Sequence, residues 1–289
     1  ALSRMRAGDR PRYVLFLTDG LPTVGTTETA DILSNLEKAN GARSRIFVFG
    51  VGDDVNTELL DRISTDHRGA SVYVGEGEDL EVALSGFYEK IASPLLSDLA
   101  VEFRGIETSQ VYPRVLPDLF KGSQLVLVGR YRGEGPASVV LTGRSGSEEK
   151  RFVLERQALT GSDRSSFLPR LWATRRVGYL LEEIRLRGPN AELADEVRRL
   201  GLKYGIVTPY TSFLVTEREA LALDAAAPAA QEAIAAGRVT GVGAVKAAKA
   251  TVAFKLEDRA AQAVSERILY KEDKTFYLKD GVWTDSEYA

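Results

Sequence analysis

The sequence predicts an α/β protein: a doubly wound, mostly parallel sheet followed by a small antiparallel β region with helices. Three observations lead there. Residues 13 to 92 run through strand and helix patterns three times with short connections. Beyond Pro94 the pattern becomes alternating apolar residues between Gly-rich turns. Two amphipathic helical stretches and an alanine-rich segment then precede a closing hairpin signal.

Tyr13-Leu17 is a continuous apolar run, the pattern of a strand buried on both faces. The next helix places Ile32, Leu33, Leu36 and Ala39 on one face, with Gly41 as its stop. Arg45-Val51 reads as a second strand. Asn56 is an expected N-cap, Val55 and Leu60 have the spacing of a hydrophobic staple, and Leu59, Leu60 and Ile63 face inward. Ser71-Val74 is a short third strand. A helix carrying Leu80, Leu84, Phe87, Tyr88 and Ile91 follows. Alternation of this kind predicts parallel strands joined by right-handed crossovers. Ligands of such sheets bind outside the carboxyl ends of the strands. Asp19 and the Gly50 to Asp54 turn are expected on that edge.

An antiparallel region is expected from about 97 to 156, with Leu99, Val101 and Phe103 alternating. A helix with Leu168, Trp172, Val177, Leu180, Leu181 and Ile184 comes next. A second runs from Asn190 as cap to Gly201 as stop, with Leu193, Val197 and Leu200 inward. "GIVTPYTSFLVTE" reads as an extended run interrupted by Pro209. Its hydroxyls Thr208, Tyr210, Thr211 and Ser212 either satisfy backbone groups in an edge strand or face a ligand. The alanine-rich residues 219 to 251 read as a linker or a loose helix. Asp280-Gly281 supplies a two-residue hairpin turn. The corresponding domain expectation is 1–94, 95–218, a linker at 219–262, and a hairpin segment at 263–289.

Composition narrows the function classes. The 38 basic and 41 acidic residues give a formal net charge of -3, without the basic excess of a nucleic-acid binder. With no cysteine, disulfides, thiolate metal sites and a cysteine nucleophile are excluded. The single histidine, His67, excludes multi-histidine metal sites and is expected as a solvated loop residue. No apolar run approaches the roughly 18 residues that span a bilayer. The first residues are not a signal peptide, so any targeting signal is expected upstream of Ala1.

Asp19 is the main candidate for chemistry. A carboxylate ending a buried strand, followed by Gly and a Thr/Pro loop, suits a hard cation with oxygen ligands. Asp-Gly is equally ordinary turn chemistry. Thr18, Gly20, Pro22 and Thr23 would form the rim of a site there. Asp53 and Asp54 are a second acidic pair on the same edge, readable as a two-metal centre or as a loop before an N-cap. No nucleophile elbow, dinucleotide fingerprint or phosphate loop is present.

"RYVLFLTDGLPTVG" (12 to 25) resembles the fourth-strand segment of von Willebrand factor type A domains. More narrowly, it is similar to those of the inter-alpha-trypsin inhibitor heavy chains and their bacterial relatives. "IFVFGVGDDVNTELLDRIS", "GFYEKIASPLLSDLAVEF", "LKYGIVTPYTSFLV" and "KTFYLKDGVWTDSEY" agree in order. The resemblance implies the C-terminal part of an A-type sheet in an N-terminally truncated chain. It implies a metal-ion-dependent adhesion site built from a D-x-S-x-S loop, a Thr loop and an Asp loop. Only the third is matched here, by Asp19, and no D-x-S-x-S occurs in the 289 residues.

The function expected from this resemblance is a non-enzymatic, divalent-cation-dependent binding module. Mg²⁺ or another divalent cation would be held in the full-length protein and not in this fragment. The partner would be an extracellular or envelope protein or polymer, in an extracytoplasmic location, with no nucleic acid involved. The alternatives are a metal-dependent hydrolase using Asp19 with Asp53 or Asp54, and a structural domain with no working metal site.

Overall fold

A computed structural model describes residues 2, 5, 8, 11–159, 167–211, 238–256, 268–271, 274–279 and 282–285. The chain forms two compact units, Ala1–Leu159 and Thr160–Ala289.

The first unit opens with three parallel strands in the order β1-β2-β3: β1 (Tyr13–Thr18), β2 (Arg45–Val51) and β3 (Ser71–Val74). The connecting helices are α1 (Thr29–Ala39) and α2 (Thr57–Asp66), and α3 (Leu80–Ile91) follows β3. β2 is central, and its six residues from Arg45 to Gly50 are all buried. Helix α2 starts as its sequence dictates: the Asn56 side chain accepts a hydrogen bond from the Leu59 N–H at 3.0 Å. Val55, Leu59, Leu60 and Ile63 are buried. Phe87 of α3 lies 4.8 Å from the Phe47 ring and 5.2 Å from Phe49, edge-on to both, which seats α3 on the sheet. The Tyr73 hydroxyl donates to Asp61 Oδ1 at 2.8 Å, tying β3 to α2.

β1 departs from its expected double burial. Leu15, Phe16 and Leu17 are 38, 42 and 43% exposed. The reason is positional: among the described residues β1 pairs with β2 alone, and the apolar face of α1 is only half-buried.

The antiparallel part contains β4 (Pro94–Arg104), β5 (Glu107–Tyr112), β6 (Leu119–Phe120), β7 (Val128–Arg132), β8 (Pro136–Ser145) and β9 (Glu148–Ala158). It forms a four-stranded sheet, β6-β4-β8-β9, and a two-stranded ribbon, β5-β7. In β4, Leu99, Val101 and Phe103 alternate with exposed neighbours as the period-2 pattern requires.

In the second unit α4 (Phe167–Arg187) is the core helix, with Trp172, Val177, Leu180, Leu181 and Ile184 buried while Leu168 stays exposed. α5 (Ala191–Tyr204) is capped by Asn190, whose Oδ1 accepts from the N–H groups of Glu192 and Leu193. Gly201 is not its stop. The helix continues to Tyr204 and ends at Gly205 with φ 62°. Gly201 is needed for close packing, because a Cβ there would sit 2.7 Å from Thr211 Cγ2 and 2.9 Å from the Ile206 carbonyl. Arg176 of α4 and Glu196 of α5 form a two-pronged ion pair with both contacts at 2.8 Å.

Part of the alanine-rich stretch expected as a linker or a loose helix is a packed helix, α6 (Val242–Leu256). Ala244, Val245, Ala247, Ala248 and Thr251 are buried, because small side chains let α6 lie close against α4. A Cβ on Gly178 would come within 2.8 Å of the Lys255 backbone nitrogen. Residues 219–237 of that stretch lie outside the described residues. β10 (Ile268–Lys271), β11 (Lys274–Lys279) and β12 (Val282–Asp285) form an antiparallel sheet. Lys279 pairs with Val282, and the expected turn residues between them lie outside the described residues.

Candidate functional site at the carboxyl edge of the parallel sheet

Strand register defines the site. Thr18 pairs with Gly50, and Val51 pairs with Val74, so the carboxyl ends of β1, β2 and β3 lie side by side. Three loops leave this edge: the Asp19 loop, the Gly52-Asp53-Asp54 turn and the Gly75–Glu78 turn. The last two are closed by local chemistry. Gly52 takes φ 77°, and its N–H donates to the Val74 carbonyl at 2.8 Å. The Gly75 N–H donates to Glu78 Oε2 at 2.9 Å.

Thr18 is half-buried and turns back on the loop. Its hydroxyl donates to the Gly20 carbonyl at 3.3 Å. Asp19 is exposed and makes no hydrogen bond or ion pair among the described residues. Pro22 is half-buried, and Thr23 is exposed. Asp53 is half-buried and Asp54 exposed, before the Asn56 cap. No group of three His, Cys, Asp or Glu among the described residues is arranged to hold a metal. Asp19 therefore fits one ligand position of a hard cation but not a whole site, since Mg²⁺ is six-coordinate.

Other sequence candidates fall elsewhere. Thr208 and Thr211 are buried in a turn, not an edge strand. The Thr211 hydroxyl accepts from the Thr208 N–H at 2.8 Å and donates to the Ile206 carbonyl at 3.1 Å. Tyr210 is half-buried, and burial raises its phenol above the ordinary value. Ser212 lies outside the described residues. His67 is not solvated: it caps the end of α2 at 7% exposure. Asn40 Nδ2 donates to its Nδ1 at 3.1 Å. The Asn40 amide is oriented by Ser44, whose carbonyl accepts from Nδ2 and whose N–H donates to Oδ1. With the amide so oriented, Nδ1 is the acceptor of that bond, and Glu37 Oε2 lies 3.9 Å from the same nitrogen.

Sequence reasoning missed an ionic cluster at the opposite end of the strands. Arg45, the first residue of β2, pairs with Asp118 (Nε to Oδ2, 2.9 Å) and Asp98 (Nη2 to Oδ1, 2.9 Å). Arg68 also reaches Asp98 at 2.9 Å, and the Tyr13 hydroxyl donates to Asp118 Oδ2 at 3.2 Å. Burial alone would lower the Arg45 pKa, but the carboxylates of Asp118 and Asp98 more than offset it and leave the guanidinium above its usual value. Burial, then the Asp118 carboxylate, raises the Tyr13 phenol well above its ordinary range. The only available signal was a charged residue opening an otherwise apolar buried strand.

Residues 1–86 match the family model of the von Willebrand factor type A domain, and this part of the chain has that α/β fold. Over 221 residues the chain is 32% identical to inter-alpha-trypsin inhibitor heavy chain H6 of Homo sapiens, covering 71% of this chain and 17% of that protein. It is 32% identical over 220 residues to inter-alpha-trypsin inhibitor heavy chain 4 of Mus musculus, covering 71% and 23%. The chain thus spans less than a quarter of the length of these curated relatives. Among solved structures, a von Willebrand factor type A protein from Catenulispora acidiphila superposes with a TM-score of 0.43 at 14% identity, over 69% of this chain and 57% of that one. A human COPII-coat protein gives 0.48 at 10% identity, over 84% and 40%. No helix among the described residues is long and apolar enough to cross a membrane.

Proposed function

We propose that the protein is a non-enzymatic binding module whose Asp19 edge engages a partner through a divalent cation. One observation carries the reading. Asp19 is an exposed carboxylate, unengaged among the described residues, at the carboxyl end of a parallel strand with two further loops beside it. A carboxylate already tied into a local turn would have to break those bonds to bind a cation; Asp19 does not. Similarity to the heavy chains supports the same reading.

Residues 1–94 would be the cation-binding part, with Thr18, Gly20, Pro22 and Thr23 as its rim. The reading requires further ligands from residues outside this sequence, together with an acidic group from the partner. An extracellular or envelope protein or polymer suits it, in an extracytoplasmic location. A hydrolase would need Asp19 to share a centre with Asp53 or Asp54 and a further ligand, and the described residues group no such set.

The test is adhesion of the intact protein to an immobilised extracellular-matrix preparation. Binding in Mg²⁺ that is lost in EDTA and in Asp19→Ala is expected. Equal binding in all three conditions would end the cation-bridge reading.

A further inference from the structure

The amino ends of β1 and β2 frame a cleft of about 250 Å³, at the opposite end of the sheet from Asp19. Among the described residues its lining includes Arg12, Arg43, Arg45 and Arg144, with Asp98 as the one carboxylate. This concentration of positive charge stands out in a chain of formal net charge -3. Asp98 is already engaged by Arg45 and Arg68. Arg12 donates to Ala42 O at 3.2 Å and Gly8 O at 3.0 Å. Arg43 and Arg144 are exposed, and their side chains make no hydrogen bond or ion pair among the described residues. Glu149 lies opposite Arg144 in the β8–β9 ladder without an ion pair between them.

We infer that this cleft binds a tetrahedral oxyanion group, a phosphate or sulfate ester. Guanidinium groups match such anions with paired N–H donors, and four arginines around one small cleft concentrate the field there. The volume falls below the range usual for drug-sized ligands, so the cleft suits one anionic group, whether borne by a small molecule or by a longer chain that extends beyond it. The fold supplies the frame. Arg45 is held by Asp118 and Asp98, Arg43 is presented on a turn at φ 51°, and Arg144 projects from β8 where the strand pairs with Ser97. Two guanidinium groups stay available for the ligand. The inference does not depend on the cation reading.

The experiment is calorimetric titration of the protein with inorganic diphosphate and, separately, with a sulfated heparin tetrasaccharide. At least one should bind, with affinity falling as NaCl rises. Arg43→Gln combined with Arg144→Gln should weaken binding by about tenfold or more, whereas Asp19→Ala should not change it. Tighter diphosphate binding assigns the group to a phosphate compound, and tighter tetrasaccharide binding to a sulfated glycan. Both side chains are without partners among the described residues, so the melting temperature without anion should hold; if the double variant melts early, the single variants are titrated instead. No binding of either anion at millimolar concentration, or equal affinity in the variants, would overturn the inference.

Discussion

Replacing Arg45 by Met removes the guanidinium that joins the parallel sheet to the antiparallel part of the first unit. The two ion pairs it makes are unequal. Asp98 has a side chain 44% exposed, so that pair resembles a surface bridge and contributes at most about 1 kcal/mol. Asp118 and Arg45 have side chains only 8 and 7% exposed. Removing one partner there leaves a buried carboxylate with only the Tyr13 hydroxyl and the Asp98 N–H as donors among the described residues, a loss of roughly 3–5 kcal/mol. The assay is native-state hydrogen exchange of the β2 amides, which are buried from Arg45 to Gly50 and open only with the surrounding structure. Their exchange should accelerate by about a hundred- to a few thousand-fold. Arg45→Met combined with Asp118→Leu should recover most of that loss, because it removes the orphaned charge. Acceleration below about tenfold in the single variant, or no recovery in the double, would show that the cluster is no more than a solvated surface pair.

Two further outcomes follow from the same kind of contact. Tyr13→Phe deletes the phenol that donates to Asp118 and should cost about 1 kcal/mol at neutral pH. The folded phenol has its pKa raised, so its contribution is complete below the unfolded value of about 10 and is lost as pH climbs through the higher folded value. Urea denaturation should therefore show the gap between wild type and Tyr13→Phe narrowing above about pH 10; a constant gap would refute the assignment. In the second unit, Thr211→Val leaves the buried Thr208 N–H and Ile206 carbonyl without their shared hydroxyl, at a cost of roughly 1–3 kcal/mol. Thr211→Ser should restore most of it. Tryptophan emission reports the result, because Trp172 and Trp283 both belong to that unit.

Local signals were legible in the sequence, and long-range ones were not. The Asn56 and Asn190 caps act within three residues, and β3 stands out as a short apolar run between turn residues, so each was readable from its neighbours. The β5-β7 ribbon was harder to see, since Glu107-Thr108-Ser109-Gln110 carries no apolar alternation and is held by pairing with β7. Gly201 looked like a helix stop because glycine usually is one; tertiary contact with Thr211 gave it a different role. His67 looked solvated because its partner Asn40 lies 27 positions earlier. Arg45 meets Asp98 and Asp118 across 53 and 73 positions, a convergence that no local pattern encodes. At the candidate site, Asp19 was conspicuous as the carboxylate ending an apolar strand. What surrounds it depends on which strands lie side by side, and that is a property of the sheet.

Whether Asp19 is a cation ligand can be read by Mn²⁺ titration of the intact protein followed by electron paramagnetic resonance. One stoichiometric Mn²⁺ site is expected, displaced by Mg²⁺ and abolished by Asp19→Ala, with the fold unchanged by circular dichroism. Identical Mn²⁺ binding by wild type and Asp19→Ala would contradict it.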